Sequence, residues 1–524
     1  MSRREICWLL DRDDLYLPVA YRDYVSAVLQ LHPPTRLSLL GRFFSSVADW
    51  DIRRGQRQVG EQIAPVIIGA LSDLDERVPD GAVWVCSSEI ELALDLARYQ
   101  RRPVYWLSTD GAGATSRRRD HASWRARRPS CAVVLSELAP DGAVRQCSSL
   151  ELRIDRNSPA ITQQMCLMAG VSLIRALVAG QPTSELAGGK DIDSGTRPVQ
   201  PSRGVTLWNR ASLGLDIVRR TPRFSWRGSR NAVDHWRIGL ASSPGSGGAS
   251  SSLIASLPPA SSFRWLPDKR AAFVADPMLA EISGKPALLY EQMEHSTRRT
   301  KLLARPLNEV GEPTGEPVVI LERPFHLSFP GVVKNPAEPG FIYLLPEQAG
   351  TGMTVLYRAV ETTGLAELDF KEHAVLLDDT PGIDPILQQV NGVWFLFVTD
   401  GRCGNSDNNL HLYTSYELCG PYRLHPMSPI RLGLRGSRMA GPLQNENGHW
   451  FRIGQDCRAH YGAGMVIFRI EELSPKSYRE TEVETLGPDA VAPGALGVHT
   501  LSRLGPIVAI DCLSRRLAPI ASSS

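Results

Sequence analysis

Ala275-Asp276-Pro277-Met278-Leu279, followed through Gly284 by Pro286-Ala287-Leu288-Leu289-Tyr290-Glu291, decides the fold. It reads as Asp-Pro, a short strand, a turn containing Gly, and an apolar strand that ends in an acid. The form returns downstream. Ser328-Phe329-Pro330-Gly331-Val332-Val333 leads through Gly340 to Phe341-Ile342-Tyr343-Leu344-Leu345-Pro346-Glu347. Ile383-Asp384-Pro385-Ile386-Leu387 leads through Asn391-Gly392 to Val393-Trp394-Phe395-Leu396-Phe397-Val398-Thr399. Ser437-Arg438-Met439-Ala440-Gly441 leads through Asn447-Gly448 to the run His449 to Asp456, and Gly497-Val498-His499-Thr500-Leu501 leads through Gly505 to Ile507-Val508-Ala509-Ile510-Asp511. The starts lie roughly 50–60 residues apart, slightly above the period of a propeller blade.

Each copy is an inner strand, a tight turn and a second strand, the signal of a hairpin. A single such sheet cannot bury both faces. Five arranged radially bury each face against a neighbour and leave only short edges. The first residues of the inner strands then ring one mouth of a central channel. Alignment of the copies places Asp276, Phe329, Asp384, Arg438 or Met439, and His499 at equivalent positions. Two acids, a base and an imidazole converging on one axis mark a candidate site; the competing reading is that Asp only caps turns.

Length and composition set the frame. A chain of 524 residues exceeds one ordinary core, so two or three domains are expected. A hydrophobic content of 43% and a charged content of 22% are those of a globular protein in water. A net charge of +2 gives no signal for nucleic acid, and no nucleic-acid partner is expected. The nine cysteines form no Cys-x-x-Cys motif, and Cys86, Cys131 and Cys166 sit in apolar runs as expected of buried thiols. The apolar run after Arg3-Arg4 ends too soon for a signal peptide, so the expected location is the cytoplasm.

Before the repeats, strands alternate with helices, which predicts an α/β sheet. Ile6 to Leu10, Leu37 to Leu40, Ala82 to Cys86, Pro103 to Leu107 and Cys131 to Leu135 read as strands. Tyr21 to Leu31 has helical spacing, and Ser88 with Glu91 resembles a capping box opening a helix to about Tyr99. Ala160 to Gly180 is a long apolar stretch, read as a buried or interdomain helix rather than a transmembrane span. Arg117, Arg118, Arg119, Arg125, Arg127 and Arg128 cluster around Trp124, either as a solvated loop or as a contact for an anion. The expected boundaries are 1–180 for the α/β domain, 181–233 for a linker with a bridging helix, 234–515 for the propeller and 516–524 for a tail. The strand around Trp236 precedes the first full blade, so it can complete the last one and close the ring.

Ala275-Asp276-Pro277, His326-Leu327-Ser328-Phe329-Pro330, Leu345-Pro346-Glu347, Gln455-Asp456-Cys457 with Tyr461-Gly462, and Gly497-Val498-His499-Thr500 carry a resemblance. Together they resemble the propeller domain at the N-terminal end of plant glucosamine inositolphosphorylceramide transferases. Bacterial proteins with that domain often carry a formyltransferase-like domain ahead of it, and the order here is similar. The resemblance implies a Rossmann-type, formyltransferase-like α/β domain followed by an all-β five-bladed propeller. Formyltransferases use Asn, His and Asp around a strand-end loop. Here the loop reads Leu107-Ser108-Thr109-Asp110-Gly111 without a His, so no complete formyl-transfer site is expected.

A more distant likeness is to five-bladed glycosidases of the arabinanase and xylosidase type, which use an Asp as base, a second Asp, and a Glu as acid. It implies Asp276 as base, Asp384 as a sugar contact or modulator of the acid, and Glu347 as acid. Glu347 ends a second strand, as Glu291 does one blade earlier, so both have a structural alternative. His326, Arg438, Asp456, His499 and Glu291 are the candidate ligand contacts. The expected ligand is a carbohydrate or glycoconjugate, bound and either cleaved or transferred, with no cofactor and no metal. Two alternatives stay open: a non-catalytic module that binds a glycan or glycolipid headgroup beside a separate transferase, and a purely structural scaffold.

Overall fold

The computed structural model describes residues 6–10, 27–31, 66–68, 82–87, 90–109, 112–113, 123, 126, 128, 130–154, 159–179, 232–243, 257–267, 271–294, 299–362, 364–403 and 406–517. The chain divides into two compact units, Met1–Gly228 with Arg402–Asn408, and Ser229–Gly401 with Asn409–Ser524.

The first unit holds one mixed sheet. Its strands are β1 (Ile6–Leu10), β2 (Ala27–Leu31), β3 (Val66–Ile68), β4 (Val83–Cys86), β5 (Val104–Thr109), β6 (Ala112–Gly113), β7 (Ser130–Leu138) and β8 (Val144–Arg153). They lie in the order β3-β2-β1-β4-β5-β7-β8, with β6 on β5. The pairs from β3 to β5 are parallel, and β5, β7 and β8 are antiparallel. All five residues of β1 are buried, as a continuous apolar run requires when both faces of a parallel strand are covered. Helix α1 (Ile90–Gln100) buries Ala93, Leu96 and Ala97, and α2 (Pro159–Ala179) carries the long apolar stretch. No described helix is long and apolar enough to cross a membrane.

The helical reading of Tyr21 to Leu31 is corrected over its last five residues. Ala27–Leu31 is a strand, paired in parallel with β1. A short apolar run fits either period, and pairing with a buried central strand decides it. The sequence also left Val144–Arg153 unassigned, which is β8. Leu37 to Leu40, Ser88, Asp110, Trp124, the arginines of its cluster before Arg128, the 181–203 linker and the helical pattern at 205–218 lie outside the described residues.

The second unit is a five-bladed β-propeller. Blade one runs Ala271–Ile282, Lys285–Glu294, Thr300–Pro306 and Val318–Leu321, and blade two runs Ser328–Val333, Phe341–Glu347, Thr354–Val360 and Lys371–Leu377. Blade three begins with Gly382–Val390, Val393–Asp400 and Asn409–Ser415, and blade four with Arg435–Met439, His449–Asp456 and Gly464–Leu473. Blade five is Leu501–Leu504, Ile507–Leu517, Ala232–Ser242 and Arg264–Trp265. Here the C-terminal strand pairs with the one around Trp236 over eleven residues, from Ile507 opposite Ser242 to Leu517 opposite Ala232. The ring thus closes by joining the two ends of the repeat region.

Each blade buries its faces on its neighbours. Tyr343, Leu345 and Leu356 of blade two pack with Leu387, Trp394 and Leu396 of blade three. Ile453 and Ile467 of blade four pack with Leu501, Val508 and Ile510 of blade five. Ile238 and Ala509 of blade five meet Leu279 and Leu288 of blade one. At the blade four–five junction the Leu501 N–H donates to the Ala440 carbonyl at 2.9 Å. Gly441 makes that approach possible: its φ is +132°, and a Cβ there would lie 2.1 Å from the Leu501 carbonyl oxygen.

Candidate functional site

The dipeptides Asp276-Pro277, Phe329-Pro330 and Asp384-Pro385 shape the inner strands. Proline has no N–H for the ladder, so the strand bulges where it sits. Register shifts fall between Ala275 and Met278, Ser328 and Gly331, and Ile383 and Ile386. The residue before each proline takes a left-handed conformation, with φ of +55° at Asp276, +48° at Phe329 and +45° at Asp384. For a residue with a side chain this costs about 1–2 kcal/mol. Three such residues stand at equivalent places in three adjacent blades, and strain gathered in this way is associated with ligand sites.

Asp276 joins three blades. Its Oδ2 accepts the Phe329 N–H of blade two at 3.2 Å, and its Oδ1 accepts the Thr500 hydroxyl of blade five at 3.0 Å. Its own N–H donates to Asp511 Oδ2 at 3.1 Å. Asp384 holds a second group. Arg438 donates to it through Nε at 2.6 Å and Nη2 at 3.2 Å, and Gln455 Nε2 donates to its Oδ2 at 3.1 Å. The Asp384 N–H donates to Glu347 Oε2 at 3.1 Å, and Arg438 Nη2 lies 3.5 Å from the same oxygen.

Electrostatics separate the two aspartates. Burial pushes Asp276 up to about 6, with His499 pulling the other way. Burial also pushes Asp384 up to about 8; Arg438 opposes this and the neighbouring Glu347 adds to it. Burial thus favours a proton on both, more on Asp384 than on Asp276, while Arg438 and Gln455 donate to both Asp384 oxygens and oppose it there.

His499 lies between two acids. Its Nδ1 is 2.7 Å from Asp511 Oδ2, off the line of a good hydrogen bond, and its Nε2 is 3.4 Å from Asp276 Oδ1. Burial alone would lower its pKa, but Asp511 and then Asp276 outweigh that and raise it. The ring stacks on Trp236 with centroids 3.9 Å apart, and Tyr461 meets it edge-on at 5.2 Å. Gly462 makes room for this stack, since a Cβ there would lie 2.8 Å from Trp236. The Arg438 guanidinium lies 4.9 Å above the Tyr461 ring.

Donor atoms of Asp276, His499 and Asp511 lie within 4.8 Å of one another, close enough to hold a metal ion. Their hydrogen bonding fits a different cation. Asp511 already accepts N–H groups from His499, Thr500 and Asp276, and both His499 nitrogens face carboxylates. A protonated imidazole fills that role.

Among the sequence candidates, Asp276, Glu291, Glu347, Asp384, Arg438 and His499 form one largely buried cluster whose members influence one another electrostatically. His326 stands at the edge: more than a third of its surface is open, its Nδ1 lies 3.0 Å from the Thr300 hydroxyl, and crowding of its ring lowers its pKa. Asp456 is engaged elsewhere, paired with Arg435 at 2.8 Å and Arg458 at 2.7 Å. Trp236, Tyr461, Gln455, Thr500 and Asp511 were not among the candidate site residues, although Gln455, Tyr461 and Thr500 lie in the motifs that carry the resemblance. Asp511 was within reach, because it ends the second strand of its copy as Glu291 and Glu347 end theirs.

Comparison with known proteins bears on the propeller. Residues 266–490 match the family model described as glucosamine inositolphosphorylceramide transferase 1, N-terminal. The propeller is similar to that family's N-terminal domain. The Arabidopsis thaliana glucosamine inositolphosphorylceramide transferase 1 is 32% identical over 216 residues, covering 40% of this chain and 27% of that protein. The Oryza sativa subsp. japonica protein of the same name is 32% identical over 216 residues, 40% of this chain and 28% of that one. The chain thus spans little more than a quarter of these relatives. Among solved structures, the catalytic domain of the Coprinopsis cinerea GH62 α-L-arabinofuranosidase gives a TM-score of 0.36 at 10% identity, over 53% of this chain and 97% of that one. A glycoside hydrolase from Bacteroides ovatus gives 0.35 at 12% identity, over 52% and 96%.

Proposed function

We propose that the propeller binds a carbohydrate or glycoconjugate at the end of its channel marked by Asp276, Asp384, Arg438 and His499, with Asp276 as the base of a glycosyl cleavage or transfer. One observation carries this reading: two buried aspartates at matching strained positions, one pushed to about 6 and the other to about 8, beside an arginine fork and two aromatic rings. Sugars are recognised by such sets, with carboxylates and guanidinium for hydroxyls and aromatic faces for the ring. The similarity to a transferase named for glucosamine inositolphosphorylceramide supports a carbohydrate ligand.

A second reading has its own support. Both Asp276 oxygens already accept hydrogen bonds from the fold, and Glu347 Oε2 accepts the Asp384 N–H rather than standing free as an acid. This favours a module that binds a glycan or glycolipid headgroup and leaves transfer to another protein. The α/β unit enters either reading as an accessory domain of formyltransferase-like kind, without a complete formyl-transfer site.

Asp276→Asn separates the two. It keeps the shape of the side chain and removes its basicity. As a general base, its loss lowers turnover on aryl glycosides by about 10² or more at nearly constant affinity. In a binding module no glycoside is turned over, and the substitution weakens glycan binding by about 1.5–3 kcal/mol. Unchanged affinity and activity would remove this end of the channel from consideration.

A further inference from the structure

Acids at matching places on the second strands have a repeated task. Asp511 of blade five accepts the N–H of Asp276 in blade one, and Glu347 of blade two accepts the N–H of Asp384 in blade three. Each acid satisfies the N–H of the strained residue in the next blade. Glu291 holds the same place in blade one: it pairs with Ala275 as Glu347 pairs with Ser328. Its counterpart in the next blade is the N–H of Phe329, and that N–H is taken by Asp276.

Glu291 is therefore released from the blade junction. It is 5% exposed, and its Oε2 has no hydrogen-bond partner among the described residues. Asp276 exerts the strongest charge effect on it, followed by Glu347, Asp384 and Asp511, so it faces the interior cluster from blade one. The cations at this end are committed: Arg438 to Asp384 and Glu347, His499 to Asp511 and Asp276. A buried carboxylate without a donor or a counter-ion cannot hold its charge; it binds a proton instead. Burial first, and then the four acids, push its pKa well above the ordinary value.

We propose that Glu291 is the hydrogen-bond donor of this site, a neutral carboxylic acid that works beside the acceptor Asp276. The pair offers a ligand one proton to give and one place to receive one, which suits a hydroxyl or an ether oxygen. What the donor meets rests on the carbohydrate reading above; the neutral state of Glu291 does not.

The experiment compares wild type with Glu291→Gln, a neutral isostere, and Glu291→Met, an apolar side chain of similar length. Infrared difference spectra of wild type minus Glu291→Gln at neutral pH are expected to show loss of a protonated-carboxyl C=O band. Denaturation of all three proteins between pH 5 and pH 8 supplies a second readout. The unfolded wild type ionises Glu291 above the ordinary carboxylate range and the folded one holds its proton to higher pH, so both variants gain on wild type as pH rises through that range, by up to about tenfold in folding equilibrium per pH unit. Loss of carboxylate bands instead, or stability curves that run parallel in pH, overturns the proposal. Because neither readout involves a sugar, a glycan array without a binder would sink the carbohydrate reading while the protonation result stood.

Discussion

Two blade junctions built from the same sequence pattern have come out differently. Between blades two and three, Glu347 takes the backbone N–H of Asp384 and touches Arg438. Between blades one and two, Asp276 takes the corresponding N–H and Glu291 is left without a bond at Oε2. One glutamate is part of the joint, and its twin is held in reserve beside it. The cause is a single residue. The first inner strand carries Asp where the second carries Phe329, and that Asp can reach across. A repeat position thus predicts where a side chain stands but not which partner it finds.

The comparison can be broken most severely at the third acid of the set. Asp511→Ala leaves three buried N–H groups without an acceptor and His499 with one counter-ion fewer. A loss of about 3–5 kcal/mol is expected in urea denaturation. A loss below 1 kcal/mol would show that the acids do not join the blades.

Glu347→Ala should cost about 1–3 kcal/mol, because it orphans the Asp384 N–H. Glu291→Ala lacks that effect, and any cost it has comes from the space it leaves. Equal losses in the two alanine variants would erase the distinction between the junctions.

Titration sharpens the picture. Asp276 and Asp384 sit at about 6 and about 8, and Glu291 and His499 are also raised. Each binds its proton more tightly when folded. The stability they lend is complete below their unfolded pKa values and is lost as pH rises through the folded ones. The propeller should melt a few degrees higher at pH 6 than at pH 8, at about 2–4 °C per kcal/mol. A higher melting temperature at pH 8 would mean that the acids are ionised and paired at neutral pH. The smallest effect is expected at Asp456→Asn, within about 1 kcal/mol, because Arg458 is exposed and half-buried Arg435 keeps Glu482 as a partner.

The propeller was legible because its evidence is local and repeated. Asp276-Pro277, Phe329-Pro330 and Asp384-Pro385 mark the inner strands, and the apolar second strands announce the hairpins. Alignment placed Arg438 or Met439 at the ring position, and the contact of Arg438 with Asp384 decides between them. Partner choice did not follow from alignment, since it depends on side chains reaching across blade junctions. Tyr461 and Trp236 come from a loop and from the strand that closes the ring, outside the five copies, and the repeat gives no sign that they flank His499. Ala27–Leu31 was misread for another reason: a short apolar run carries no period of its own.

The most direct test of the account is a glycan array probed with wild type, Asp276→Asn and Arg438→Ala. The account expects wild type to retain at least one glycan and Arg438→Ala to bind it about tenfold or more weakly, the loss of one charged hydrogen bond; Asp276→Asn keeps the affinity if Asp276 is a base and loses about as much if the site only binds. Equal retention by all three proteins would contradict it.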